Sequence, residues 1–143
     1  VVKSVMQCIQ EHIKTCPFLD DFEGIFPQVE IDTLGENTTA YMVERIPADP
    51  VVKAYVDGSS IRQEVFLFSS REIYASEETG DIHAFYDAFA DWLEKSRNDL
   101  KLPLGCEVRK LKATTGGYIY NEEGTKAQYQ IQCRLEYYKK GAN

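Results

Sequence analysis

The chain has 143 residues, 43% hydrophobic and 12% aromatic, which is enough for one ordinary core and too apolar for a disordered segment. A net charge of −7 and a pI near 4.9 argue against a basic nucleic-acid footprint. No apolar run approaches the ~20 residues of a membrane helix, and the first residues lack the basic-then-apolar pattern of a secretory signal.

Val2, Val5, Met6, Ile9 and Ile13 fall on one helical face, which predicts an amphipathic helix over 2–14. Pro17 stops it, because the residue before a proline avoids the α region. Phe18, Leu19, Phe22, Ile25 and Phe26 then form an apolar linker with acids between them. Residues 29–71 read as strands: Val29 and Ile31 alternating with acids, a β-rich 38–46 stopped by Pro47, a short 51–56, and a return strand over 61–68. Asp57-Gly58 between the last two predicts a type I′ hairpin turn. Val65-Phe66-Leu67-Phe68 is apolar on both faces, which predicts a central strand covered on each side.

Thr79-Gly80-Asp81 opens a second helix running to about residue 98, with Thr79 or Asp81 as its cap. Its buried stripe is Ile82, Phe85, Phe89, Trp92 and Leu93, and Asp91 with Lys95 makes an outward i, i+4 pair. Leu102-Pro103 breaks the chain before two long strands, 106–113 and 127–137. The second alternates Ala127, Tyr129, Ile131, Cys133, Leu135 and Tyr137 on one face with polar residues on the other, as in an antiparallel sheet with one wet side. The connection 114–124 reads as a flexible hairpin loop. Its Tyr118 and Tyr120 suit either an interface anchor or a strand folded back on the sheet. Runs of strands rather than strict alternation define an α+β domain over 1–143: a mostly antiparallel sheet with an N-terminal helix and a long central helix packed on one face.

Catalytic and cofactor signatures are missing from the sequence. It has no phosphate-binding G-x-x-x-x-G-K-[ST], no G-x-G-x-x-G, no H-E-x-x-H and no G-x-S-x-G. Cys8, Cys16, Cys106 and Cys133 form no C-x-x-C pair and are not spaced with His12 or His83 as metal ligands, so they read as buried thiols suited to a reducing compartment. Neither histidine has a sequence-evident partner for general-base work. The expectation is a non-enzymatic protein with no cofactor and no metal.

Charge is the more informative feature. Residues 1–100 carry 8 basic and 19 acidic side chains, whereas residues 101–143 carry 8 and 4. Acids crowd the early segment (Asp20, Asp21, Glu23 and Glu36 among them), and bases gather at Arg109, Lys110 and Lys112. This is either a solvated acidic face or one end of a subunit that attracts the opposite end of its neighbour. The candidate interface residues are these two charge groups together with Tyr118, Tyr120, Glu122 and Glu123.

The stretch Ala48-Asp49-Pro50-Val51-Val52-Lys53-Ala54-Tyr55-Val56-Asp57-Gly58-Ser59, followed by Gln63-Glu64-Val65-Phe66-Leu67-Phe68-Ser69-Ser70-Arg71-Glu72, resembles a minor capsid or tail-completion family of long-tailed bacteriophages. The ending from Gly124 to Tyr138 resembles it too, so the likeness runs over nearly the whole chain. Members are sometimes labelled "chloramphenicol resistance protein", a label that carries no implication of catalysis here. The resemblance implies a tail terminator: a homo-oligomeric ring, commonly a hexamer, on the head-proximal end of the tail tube. Such a ring stops tube growth and offers a surface to the head–tail connector protein. Its implied partners are other copies of itself, the tube protein and the connector, with DNA only as transiting cargo and no membrane. Its implied place is the virion's head–tail junction, after assembly in the host bacterial cytoplasm. The alternatives are a head-completion or connector protein of the same particle, or a small ligand-binding or enzymatic α+β domain. In the terminator reading, residues 20–37 and 114–124 are flexible loops that order on docking.

Overall fold

The computed structural model describes residues 3–19, 28–34, 40–73, 79–123 and 126–141. Two antiparallel 14-residue strands, β4 (Ser60–Ile73) and β7 (Lys126–Lys139), pair over their whole length from Ser60 opposite Lys139 to Ile73 opposite Lys126. On the outer side of β4 lie β2 (Ala40–Ile46) and β3 (Val51–Ala54), end to end. On the outer side of β7 lie β5 (Cys106–Ala113) and β6 (Tyr118–Glu123), also end to end. A short β1 (Gln28–Ile31) closes the β2 side and runs parallel to β2, the one parallel pairing among the described residues, whose seven strands otherwise pair antiparallel.

Helices α1 (Val5–Ile13) and α2 (Thr79–Lys95) pack on the same face of this sheet. The α1 helix starts at Val5 rather than Val2. Ser4 caps it, with Gln7 N–H donating to Ser4 Oγ at 3.1 Å and Ser4 N–H donating to Gln7 Oε1 at 2.8 Å. That reciprocal box satisfies two otherwise orphaned donors. The α2 helix is shorter than its periodicity predicts and ends at Lys95, where a 3-10 turn over Arg97–Asp99 takes over. The Asp91–Lys95 pair forms on its exposed side at 2.8 Å.

The core is the expected alternation made physical. Ala127, Tyr129, Ile131, Cys133, Leu135 and Tyr137 of β7 are all buried beneath the helices, beside Phe66 and Phe68 of β4. Phe68 stacks on Phe89 at 4.2 Å between ring centroids and on Tyr41 at 5.7 Å. Fully burying each such side chain contributes roughly 1.5–3 kcal/mol. Tyr86 is also completely buried, although its polar tip kept it out of the predicted stripe. Its hydroxyl donates to the Tyr129 carbonyl at 2.9 Å, so the Ser70 hydroxyl at 2.6 Å donates to it. Burial is tolerable because both polar atoms are satisfied.

Four expectations are corrected. The return strand does not stop at residue 68 but continues to Ile73, because β7 pairs with it throughout and small Ser70 fits under Tyr86. It is covered fully on one face only, since Val65 and Leu67 on the helix-free face are half-buried. The turn after β3 is not type I′. Gly58 has φ +89° but Asp57 is not left-handed, and Gly58 N–H donates to the Tyr55 carbonyl while Tyr55 N–H donates to Ser59. This is the three-residue loop with a left-handed glycine. Finally, 114–124 is not simply a flexible loop, because Tyr118–Glu123 pairs with β7 as β6.

All four cysteines are free thiols; Cys8, Cys16 and Cys133 are buried and Cys106 is half-buried. Burial pushes all four thiols up. His12 is buried between the helices, stacked on Trp92 at 5.0 Å with its Nε2 2.9 Å from Ser96 Oγ. Desolvation holds its imidazole below the ordinary histidine range, partly opposed by Asp99. An unfolded histidine takes up its proton near pH ~6.5, whereas this folded one resists it. His12 therefore contributes stability that is complete above that pH and is lost as pH falls toward the folded value. Thermal melts between about pH 5 and 7.5 should show this loss, and His12→Phe should flatten the profile. Identical slopes for the two proteins would rule out His12 as the cause.

Candidate interaction surface

The helix-free face and the rims of the sheet carry the exposed features that a core does not explain. Large hydrophobic side chains stand in solvent at Val52, Tyr55, Val56 and Leu104, and at Tyr118, Ile119 and Tyr120. Topology sorts them into two groups. The turn containing Val56 and the loop containing Leu104 meet at one end of the sheet, where Ser60 and Cys106 both pair Lys139, and where Gly58 and Gly105 lie beside Gly141 and Lys140. Val56 and Leu104 are as open as residues in an extended chain, at 111% and 105%. Exposure of that kind at one end marks a contact surface more than scattered apolar residues do. The second group, on β6, lies along the other half of β7 and so toward the opposite end.

At the first end the β3–β4 turn borders a shallow, open groove of about 450 Å³ on the helix-free face. Ile61 and Tyr138, cross-strand partners, form its floor. Tyr55 and Val56 make one wall and Arg109 the other. The local sequence explains the turn. Gly58 supplies the left-handed residue that the turn needs. The Asp57 carboxylate accepts from the Ser59 N–H and hydroxyl and is held below the usual carboxylate range by those bonds. Lys53 sits over the Tyr55 ring at 5.3 Å.

Of the residues singled out from sequence, Arg109, Lys110 and Lys112 are exposed on β5, and a β-bulge between Val108 and Lys110 lets Arg109 turn toward the groove. Arg109 comes within 3.7 Å of Glu136, which is more closely held by Arg134 at 3.1 Å. Tyr118, Tyr120 and Glu122 are exposed on β6, and Tyr118 is anchored by accepting from Gln130 Nε2 at 2.8 Å. The structure thus gathers the basic triplet and the tyrosines onto one rim of the sheet, the outer side of β7. Asp20, Asp21, Glu23 and Glu36 lie outside the described residues, as does the Glu123 side chain. Of the described acids that flank them in sequence, Glu30 lies on β1, Asp32 directly after it and Glu44 on β2, across the sheet from β5. Sequence reasoning missed Tyr55, Val56 and Leu104. The signal was present, because an apolar residue inside a turn (Val56 before Asp57-Gly58, Leu104 between Pro103 and Gly105) has no local reason to be there.

Other clefts are less suggestive. One of about 420 Å³ is lined by Cys8, Glu11, His12, Asp99 and Lys101, but the Ser96 hydroxyl beside His12 also reaches the Leu93 carbonyl at 3.3 Å, as a helix-end contact. Another is walled by the ion pair of Arg45 with the mostly buried Glu64, at 2.6 Å. Among the described residues no three His, Cys, Asp or Glu side chains converge as metal ligands, and no helix is long and apolar enough to cross a membrane. No protein-family model matches the chain, and no curated protein matches it either.

Proposed function

We propose that this chain is an assembly subunit whose work is done by its rims, and more particularly a tail terminator of a long-tailed bacteriophage. It would form a homo-oligomeric ring, six-membered by the resemblance noted above, that caps the head-proximal end of the tail tube. There it halts tube polymerisation and meets the head–tail connector protein. The observation that carries the reading is the chemical difference between the two sides of the sheet. One rim bears Arg109, Lys110 and Lys112, and the other bears Glu30 and Glu44 and joins the acid-rich early segment. A self-complementary dimer uses one patch twice, whereas unlike patches on opposite sides suit the head-to-tail contacts that close a ring. The exposed side of α2 adds Asp81, Asp87, Asp91 and Glu94. A net charge of −7 suits a ring through which DNA must pass without being gripped.

Charge-driven closure makes association salt-dependent, since the screening length falls from ~10 Å at 0.1 M to ~3 Å at 1 M. Sedimentation velocity should show the assembled species giving way to monomer across that range. Lys110→Glu with Lys112→Glu should give the monomer already at low salt. An assembly indifferent to both salt and charge reversal would refute the electrostatic contact.

A further inference from the structure

The cleft walled by Arg45 and Glu64 is unpromising as a protein contact surface, but its chemistry is that of a small binding site. It exists because the outer edge of β4 is interrupted. The β2 strand leaves β4 at Ile46, opposite Val65, and β3 rejoins it at Val51, opposite Arg62. Residues 47–50 span the gap, and Pro47, Ala48 and Pro50 wall a space of about 290 Å³, at the small end of ligand pockets. Gln63 fixes that wall. Its N–H donates to the Pro50 carbonyl at 3.0 Å and its Nε2 to the Asp49 carbonyl at 2.8 Å. Its Oε1 accepts from Arg134 Nε at 2.8 Å, so Gln63 is itself held in place. Val5 and Ile46 add apolar surface.

The lining donors exceed the acceptors. Glu64 is buried, and Arg45 occupies both of its carboxylate oxygens, with Nε 3.1 Å from each and Nη2 2.6 Å from Oε1. Arg62 stands opposite Tyr137 across the β4–β7 ladder and donates its Nε to Ser60 Oγ at 3.1 Å. Its two terminal nitrogens meet no acceptor among the described residues. Tyr137 lines the same cleft and is only 8% exposed, yet its hydroxyl has no partner among the described residues. A phenol buried that far is ordinarily paired. Burial raises its pKa, against the Arg62 and Arg45 charges, so at neutral pH it is a protonated donor. We propose that this cleft binds a carboxylate, bidentate on the Arg62 terminal nitrogens and capped by the Tyr137 hydroxyl. Two parallel N–H donors match the two carboxylate oxygens, and the phenol adds a third bond. Charge sets the class: among the lining residues two guanidiniums and one carboxylate leave a net of +1, which a single carboxylate neutralises. A phosphate dianion would overshoot that charge and stand against Glu64. The site lies apart from the basic rim and does not depend on the ring.

The test follows the Arg62 side-chain N–H and Tyr137 ring signals by nuclear magnetic resonance while sodium benzoate is titrated into the full-length protein. Saturable shifts are expected at both residues. Benzamide, the neutral isostere, should bind about 10-fold more weakly or worse, as should benzoate to Arg62→Gln and to Tyr137→Phe, each of which removes a bond to a charged group. Tyr137→Phe keeps the ring in the core, far-ultraviolet circular dichroism checks both folds, and the benzoate–benzamide comparison needs neither variant. Acetylated trialanine with a free carboxylate distinguishes the two sources of such a group. Binding tighter than that of benzoate assigns the chain end of a partner, and weaker binding assigns a small free acid. No saturable shift in tens of millimolar benzoate, equal binding of benzamide, tighter binding of inorganic phosphate, or unchanged binding by both variants overturns the assignment.

Discussion

Phe68→Ala is expected to lower stability by about 3–5 kcal/mol, the range for deleting a large aromatic ring from a packed core. Against a total of about 5–15 kcal/mol for a domain of this kind, that is a substantial fraction. Phe68 is fully buried at the centre of the sheet, stacked on Phe89, close to Tyr41 and edge-on to Tyr86 at 6.2 Å. Its removal opens a cavity where β4, β2 and α2 meet, and the rings held by other contacts cannot collapse into it. Thermal melts should show a fall of roughly 10–15 °C at the ~3 °C per kcal/mol expected for this size. A fall of only a few degrees would mean that the aromatic cluster repacks and is not the keystone described. Leu67→Ala on the neighbouring half-buried position should cost distinctly less, since part of its surface already faces solvent.

The second large effect is expected at Gly117. A Cβ placed there would stand 2.5 Å from Tyr86 Cβ and Cγ, far inside contact distance. The glycine is needed for space, not for an unusual backbone angle. Tyr86 cannot retreat easily, because its hydroxyl is bonded to Ser70 and Tyr129 inside the core. Gly117→Ala should therefore cost about 3 kcal/mol, the upper end of the overpacking range. The loss should be concentrated where β6 leaves the sheet, with accelerated amide exchange over Tyr118–Glu123. Gly117→Ala in a Tyr86→Leu background should cost far less than in wild type, because the blocking ring is gone. If Gly117→Ala melts with wild type and protects β6 equally, the close approach does not exist. The prediction also bears on function, because β6 presents Tyr118 and Tyr120 at the rim. Deleting 114–124 should accordingly disturb the core through Gly117 as well as remove a contact surface.

The parts of the fold legible in the sequence are those written in local periodicity. The stripe Ile82, Phe85, Phe89, Trp92 and Leu93 marks α2, the alternation from Ala127 to Tyr137 marks β7, and residues 106–113 are β5 to the residue. What escaped depends on partners distant in sequence. Ser69 to Ile73 reads as polar and unstructured until β7 lies beside it, and nothing local says that β1 joins β2 in parallel. Tyr86 is hidden from a hydrophobicity count by a hydroxyl that only Ser70 and Tyr129 make acceptable in a core. The candidate surface was legible in half. Charge clustering pointed to Arg109, Lys110 and Lys112, but the groove beside Arg109 is made by a turn from β3–β4, some fifty residues earlier, that no local pattern brings there.

In the function proposed above, unlike rims assemble this subunit into a ring that caps a tail tube. Electron microscopy of the purified protein, alone and mixed with tail tubes assembled without it, tests this most directly. Rings in the absence of tubes, or a density at one end of each tube, are expected, with tubes that no longer lengthen once capped. Protein that stays monomeric, leaves both tube ends bare and does not arrest their growth would contradict it.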